Sequence, residues 1–121
     1  MGNLSESQQL RDRTKKFSIR IVRLFQALPK STEAQVMGKQ LLRCGTSVAA
    51  NYRAVCRARS KAEFIARIGV VAEEADESVL WLELLEETRI LTSTQLQEIS
   101  NEARELAAIF SAPQKTAKTN S

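Results

Sequence analysis

Apolar residues recur every three or four positions along most of this chain. No stretch shows the strict alternation of apolar and polar residues that is typical of a half-buried strand. Four stretches with helical spacing follow one another, and the first contains Leu10, Phe17, Ile21, Leu24 and Leu28. Pro29 predicts the end of this helix, because a proline disfavours the helical conformation at the residue before it.

The other three stretches have their own apolar seams and predicted starts. The seams are Met37, Leu41, Cys44, Val48, Asn51 and Val55; Ile65, Ile68, Ala72, Ala75, Val79 and Leu82; and Leu96, Ile99, Ala103, Leu106 and Phe110. Capping boxes are predicted for Thr32 with Gln35, Ser60 with Glu63, and Thr92 with Gln95. Four helices with short connections predict an all-α fold, an antiparallel up-down-up-down four-helix bundle in one domain over residues 1–112. The polar residues 113–121 predict a flexible C-terminal tail.

Histidine is absent from the 121 residues, which excludes several classes of site. No Ser–His or Cys–His nucleophile, imidazole base or histidine metal ligand can form. We therefore expect no enzyme, no catalytic, cofactor-binding or metal site, and no small-molecule substrate. The chain carries 18 Lys and Arg against 14 Asp and Glu, with the first 60 residues basic and residues 61–91 acidic. This asymmetry indicates either pairing between helices or a basic face for a polyanion.

The basic residues form two candidate groups for contacts with nucleic-acid phosphates. On the first helix, four basic residues spaced three, four and three positions apart share one face and form a basic stripe: Arg13, Lys16, Arg20 and Arg23. Arg11 and Lys15 are further basic candidates on the same helix. At the end of the second helix lie Arg53, Arg57 and Arg59. The alternatives are a solvated surface or salt bridges to the acidic third helix. No exposed aromatic residues are predicted among these charges in support of base stacking, so we do not expect sequence-specific readout.

The third helix is apolar on two sides. Besides its seam it carries Val70, Trp81 and Leu84 on the opposite side, together with Glu74 and Glu77. No helix of a four-helix bundle is central, so a second apolar side predicts a subunit interface and a homo-oligomer. Three glycines inside helices, at positions 38, 45 and 69, indicate close backbone approach, either within the bundle or between subunits.

Polar side chains of the second and third helices form a candidate cluster. Arg43, Ser47 and Asn51 are four residues apart and follow one stripe, with Asn51 at a seam position that predicts burial. An antiparallel turn sets Arg43 opposite Glu74, with Glu73 or Glu77 as alternative partners. We interpret the cluster as a device that fixes helix register, the alternative being a catalytic cluster. In a dry site, loss of Arg43 would cost about 3 kcal/mol or more.

The same stretch resembles a known family. The matching motifs are Leu42-Arg43-x-Gly45-Thr46-Ser47-Val48-x-Ala50-Asn51-Tyr52-Arg53, then Arg57-Ala58-Arg59-Ser60-x-x-Glu63-Phe64, then Glu73-Glu74-Ala75-Asp76-Glu77-Ser78-x-x-Trp81-Leu82-Glu83-Leu84-Leu85, and finally Glu105-Leu106-x-Ala108-Ile109-Phe110. They are similar to those of the bacterial four-helix-bundle family, also called the S23 or ribosomal-RNA intervening-sequence protein family. The resemblance implies a ring-like homopentamer. Related accessory proteins of diversity-generating retroelements are such pentamers, with basic surfaces that engage nucleic acid and a reverse transcriptase.

Two hypotheses for function follow. The first is a non-enzymatic oligomeric bundle that binds the backbone of RNA or DNA through its basic face, with a nucleic acid or a nucleic-acid enzyme as partner. The alternative is a protein–protein adaptor or scaffold that docks an acidic partner. No stretch is apolar enough for a membrane helix and the N-terminal residues lack a signal-peptide pattern, so we expect no membrane association and a cytoplasmic location.

Overall fold

The computed structural model describes the backbone of residues 5–119 and the side chains of residues 5–113. Its four helices are α1 (Glu6–Ala27), α2 (Thr32–Val55), α3 (Lys61–Glu87) and α4 (Ser93–Thr119). Around the bundle α1 packs against α2, α2 against α3, α3 against α4, and α4 against α1, the last pair being the least extensively packed. The described part of the chain contains no strand, so the all-α four-helix bundle is confirmed.

Contacts between α1 and α2 show that these helices run antiparallel. Gly38 lies against Leu28, whereas Gly45, two turns further along α2, lies against Ile21, two turns earlier in α1. Each connection between consecutive helices is at most five residues long, which leaves no room for a crossover. Among the described residues, no helix combines the length and the apolar composition needed to cross a membrane.

Several helix ends follow the predicted local signals. The C-cap of α1 is extended and directly precedes Pro29. At the start of α4, the N–H of Gln95 donates to Thr92 Oγ1 at 3.1 Å, and the N–H of Thr92 donates to Gln95 Oε1 at 2.8 Å, so this capping box is confirmed. At the start of α3, Ser60 Oγ accepts a hydrogen bond from the N–H of Glu63 at 3.0 Å.

The start of α2 differs from the prediction. Ser31, not Thr32, is the N-cap, and its side chain accepts a hydrogen bond from the N–H of Ala34 at 3.4 Å. The Gln35 amide donates instead to the carbonyl of Pro29 at 2.9 Å. Ser and Thr are both good caps, so the composition of this turn alone does not decide between neighbours.

The C-terminal ends of α3 and α4 have features that we did not predict. Helix α3 ends in a Schellman motif, in which the N–H of Ile90 donates to the carbonyl of Leu85 at 3.0 Å, and Arg89 takes a left-handed conformation with φ of 62°. Helix α4 continues through Pro113 to Thr119, past residue 112 where we placed the end of the domain. The flexibility of residues 113–121 stays a prediction, and residues 120–121 lie outside the described part of the chain.

Most members of the four predicted seams are buried and together form the core. The largest fully buried side chains are Phe17, Phe110, Ile21, Leu41, Leu82, Leu85, Leu96 and Leu106. Members near the ends of the seams, such as Leu10, Met37 and Val79, are only partly buried against this core. Burial of these side chains from four helices provides the main stabilisation of the bundle.

Two helix glycines account for the close approach of α1 and α2. A Cβ on Gly45 would lie 2.8–2.9 Å from the Ile21 side chain, and one on Gly38 would lie 2.4 Å from Leu28 Cδ1. Ser18 Oγ also donates to the carbonyl of Gly45 at 3.0 Å. These two glycines therefore serve contacts within the bundle. Gly69, in contrast, lines a shallow groove on the outer surface of α3.

We expect Gly45→Ala to lower the free energy of unfolding by about 1–2 kcal/mol. Ile21 is fully buried and β-branched, so overpacking against it costs about 1–3 kcal/mol, which exceeds the gain in helix propensity of about 1 kcal/mol. Urea denaturation measures the change. Gly69→Ala is the matched control and should keep or raise stability. A Gly45→Ala variant as stable as the wild type would contradict the close approach.

Candidate nucleic-acid interface

Arg13 of the predicted basic stripe is engaged within the bundle. Its Nε donates to Glu102 Oε2 at 2.8 Å, and its Nη2 lies 2.8 Å from Glu102 Oε1 and 2.7 Å from Glu105 Oε1. These hydrogen bonds, that of Glu102 first, raise the pKa of Arg13 further above its usual value. Arg13 therefore links α1 to α4, and we remove it from the candidate interface. The predicted alternative, a salt bridge to α3, also named the wrong helix, because α3 lies diagonally across the bundle from α1.

The remaining members of the stripe lie along the junction of α1 and α4. Lys16 and Arg23 are exposed, and Arg20 is partly buried. A groove of about 290 Å³ runs between the two helices, with an apolar floor and two guanidinium groups; its lining is Arg20, Arg23, Leu24, Ala27, Leu91, Gln95 and Ile99. This groove can accept a surface that is both apolar and acidic.

The second predicted group lies at the opposite end of the bundle. Arg53, Arg57 and Arg59 are all exposed where α2 leads into α3. Because α2 has 24 residues, it is roughly 36 Å long at 1.5 Å per residue. Most of that length separates this group from the α1–α4 groove, so the two groups do not form one continuous surface.

A recess of about 370 Å³ gives the second group its geometry. We call it the basic recess, and its lining is Ala54, Arg57, Arg59, Glu63 and Arg67. Arg67 Nε donates to Glu63 Oε1 at 3.0 Å, between side chains that are 46% and 30% exposed. Three arginines and one glutamate therefore line the basic recess, which has an excess of positive charge.

Arg67 is the arginine of this site that we did not assign from the sequence. It lies on the acidic third helix and was not counted with the basic groups. The antiparallel turn between α2 and α3 provided the signal that could have found it, because that turn brings the first two turns of α3 alongside the last turn of α2.

The structure brings together only part of the predicted polar cluster. Arg43 Nη1 contacts Glu74 Oε2 at 3.3 Å, and Nη2 contacts the carboxylate of Glu77. Trp81 Nε1 donates to the same Glu77 carboxylate at 3.0 Å. The pairing of Arg43 with these two carboxylates agrees with the predicted antiparallel register.

We predicted that Ser47 and Asn51 extend this cluster from α2 across to α3, and this prediction is wrong for Asn51. Asn51 is only partly buried, and its Nδ2 donates to the carbonyl of Ser47, one turn earlier in the same helix, at 2.9 Å. An amide that bonds the preceding turn of its own helix does not need a cross-helix partner. The ion pairs that join α2 to α3 in this cluster therefore involve Arg43, Glu74 and Glu77.

Two buried titratable side chains of α2 are not suited to nucleophilic or base catalysis. Cys44 is fully buried, and burial raises the pKa of its thiol, which also contacts Ser78 Oγ at 3.3 Å. Burial likewise raises the pKa of Tyr52 to about 12. Both side chains are therefore neutral near pH 7. Over the described residues, no three His, Cys, Asp or Glu side chains are arranged to hold a metal ion.

The outer surface of α3 carries the predicted interface residues in two different environments. Val70 is 44% exposed, whereas Trp81 and Leu84 are partly buried, with Trp81 packed against the core. Leu80, which we did not assign, is 47% exposed and points away from the bundle. Toward the start of the helix, small and apolar residues line a shallow groove of about 600 Å³: Ala62, Ile65, Ala66, Gly69 and Val70, with Lys61 and Glu73.

These features define a class of protein: a four-helix bundle with an arginine-rich recess at one end. The family model described as 23S rRNA-intervening sequence protein matches residues 6–112, and the chain belongs to this family. The resemblance noted in the sequence is thereby confirmed. Comparison with curated proteins gives no match.

A solved structure supports the same assignment. It is the 1.70 Å crystal structure of a protein of unknown function from the S23 ribosomal protein family of Bacteroides thetaiotaomicron. The two chains are 37% identical, and the match covers 88% of this chain and 98% of that one with a TM-score of 0.80. The similarity therefore extends over nearly the whole bundle of both proteins.

We expect Arg43→Ala to lower the free energy of unfolding by about 1 kcal/mol, less than a dry site would give, because the Arg43 side chain is 50% exposed. The loss should shrink at high salt. Urea titrations at low and high ionic strength, followed by the fluorescence of Trp81, measure it. Lys39→Ala, one turn earlier on the exposed surface of α2, is the control. A salt-independent loss of about 3 kcal/mol or more would contradict the solvated ion pair.

Proposed function

We propose that this protein is a non-enzymatic, oligomeric bundle that acts in the cytoplasm and binds nucleic-acid phosphates at the basic recess. The observation that carries the proposal is that Arg57, Arg59 and Arg67 line one recess together with Glu63, its single acidic residue. Guanidinium groups bind phosphate oxygens through paired N–H donors, and three of them exceed what one carboxylate neutralises. Arg53, exposed in the last turn of α2, adds a fourth cation at this end.

RNA is the polyanion that we favour. The family takes its name from a 23S rRNA-intervening sequence, and a protein named for an RNA element is reasonably tested first with RNA. Contacts with phosphates carry no sequence information, so the affinity should depend little on base sequence. The neutral state of Cys44 supports a binding role rather than a catalytic one, since a buried thiol is not a nucleophile.

The α1–α4 groove, with Arg20 and Arg23, suits contact between subunits. The outer surface of α3 presents exposed Val70 and Leu80 among carboxylates, including Glu73 and Asp76. The α1–α4 groove presents an apolar floor and the guanidinium groups of Arg20 and Arg23. These two surfaces are complementary in charge and both partly apolar, and their pairing is head-to-tail, the arrangement that closes into a ring. We propose that α3 of one subunit occupies the groove of the next.

The number of subunits comes from the family resemblance, which implies five. Burial of the exposed apolar residues of α3 contributes about 25 cal/mol for each Å² removed from water. In such a ring the α1–α4 groove is occupied by protein, so the basic recess is left to bind nucleic acid. A ring also repeats the recess, and several weak sites on one strand give a higher overall affinity.

We expect Arg57→Glu/Arg59→Glu to abolish most RNA binding at low salt. Fluorescence anisotropy with a labelled RNA of arbitrary sequence measures the affinity. In the wild type, log affinity should fall linearly with log salt, with a slope of about 0.7 for each phosphate contacted on a single strand. The double variant should have a shallower slope, because contacts are lost.

The control is Lys30→Glu/Lys39→Glu, which changes the net charge equally at exposed positions outside the recess. It should bind RNA nearly as the wild type does. Equal loss in both variants would reduce the interaction to net charge alone, and no binding by the wild type at low salt would contradict the proposal. An adaptor that docks an acidic protein would then be the remaining hypothesis.

For assembly, we expect a mass of five subunits by light scattering at micromolar concentration, and dissociation by Leu80→Glu with helix content unchanged. Leu80 projects from α3, so the substitution adds a charge to the interface without altering the core. Val36→Glu, at an apolar residue that is 57% exposed on α2, is the control and should leave the mass unchanged. A wild-type mass of one subunit would contradict the interface, whereas two or four subunits would contradict only the number five.

A further inference from the structure

An apolar recess lies at the same end of the bundle as the basic recess. It has a volume of about 310 Å³, and its apolar lining includes Leu10, Tyr52, Phe64, Ile68, Ile109 and Phe110. Residues from all four helices meet there, where the core reaches the end of the bundle. Among the residues that the structure describes, this apolar surface is left uncovered.

Phe64 distinguishes this recess from an ordinary gap at the end of a core. Its side chain is 37% exposed, and among the aromatic residues of the described chain it is the one with more than a third of its surface in water. Behind it, Tyr52 and Phe110 are buried, with ring centroids 5.3 Å apart. Our expectation that no exposed aromatic residue accompanies the basic groups is therefore wrong for this end of the molecule.

The first two turns of α3 separate the two recesses. Glu63 and Arg67 line the basic recess, whereas their chain neighbours Phe64 and Ile68 line the apolar one. Phe64 and Arg67 are three residues apart on the helix, a spacing that places Cβ atoms roughly 5–6 Å from each other. An aromatic surface and a guanidinium group thus lie side by side, as in sites that bind single-stranded nucleic acid.

We propose that the apolar recess receives an unpaired base and that Phe64 stacks on it, while the arginines of the basic recess hold the adjoining phosphates. This inference rests on the proposed function and specifies its substrate class as single-stranded rather than duplex nucleic acid. A base inside a duplex is stacked on both faces and paired along one edge, so it cannot enter such a recess.

The polar groups of the apolar recess agree with this division. Glu6 and Ser7 are its polar lining residues, and the Glu6 carboxylate disfavours a phosphate there. The backbone of the strand therefore remains on the side of Arg57, Arg59 and Arg67. A base, which is uncharged and has a flat π surface, is the part of a nucleotide that fits against Phe64.

The experiment compares three probes of equal phosphate content: a single strand of about 12 nucleotides, the same strand with abasic sites, and a duplex. The full-length wild type should bind the single strand more tightly than either of the others. Phe64→Ala should weaken binding to the single strand about ten-fold, within the range known for loss of one base–aromatic stack, and should leave abasic and duplex binding unchanged.

Phe64→Leu keeps the apolar volume without an aromatic surface, and it keeps the test valid if Phe64→Ala is poorly folded. It should show the same selective loss. Val36→Ala, at an exposed apolar residue outside both recesses, should show none. Equal binding of the three probes, with no effect of either Phe64 variant, would overturn base stacking and leave phosphate binding intact. No binding of any probe by the wild type would overturn the proposed function and this inference together.

Discussion

A connection of five residues holds the end of α2 against the start of α3, and the antiparallel register that results positions the polar contacts between these helices. Near the turn it brings Arg67 alongside Arg57, which forms the basic recess. Three turns further along it brings Arg43 against Glu74 and Glu77. A shift of one residue in this register would separate Arg67 from Arg57, and Arg43 from its two carboxylates. The candidate site and the ion pair therefore depend on the same constraint.

Besides the Arg43 ion pairs, the arginines of the chain serve three kinds of contact. Arg13 strengthens the junction of α1 and α4, which is the least extensive of the four helix contacts. Arg20 and Arg23 border an apolar groove and suit an acidic, apolar helix. The arginines of the basic recess outnumber their carboxylate and remain available to a polyanion. This division explains how a modest net charge of +4 can still provide a strongly basic local site.

Features set by local chemistry were predictable from the sequence. The end of α1 before Pro29 and the capping box of Thr92 depend on residues within one turn, and the seams follow from periodicity. Tertiary features were not, because single-helix spacing does not reveal which neighbour a side chain meets. Arg13 reaches α4, and Phe64 is exposed only because the core ends beside it. The end of α3 was missed because an arginine, Arg89, occupies the left-handed position where glycine is usual.

The central claim is that the basic recess binds nucleic-acid phosphates. The most direct measurement is a correlation spectrum of the arginine Nε–H groups during titration with single-stranded RNA, because each guanidinium then reports for itself. We expect the signals of Arg57, Arg59 and Arg67 to shift with a common saturation curve, while that of Arg13, bonded to two carboxylates, stays in place. Shifts confined to Arg20 and Arg23, or equal shifts of all arginines, would contradict it.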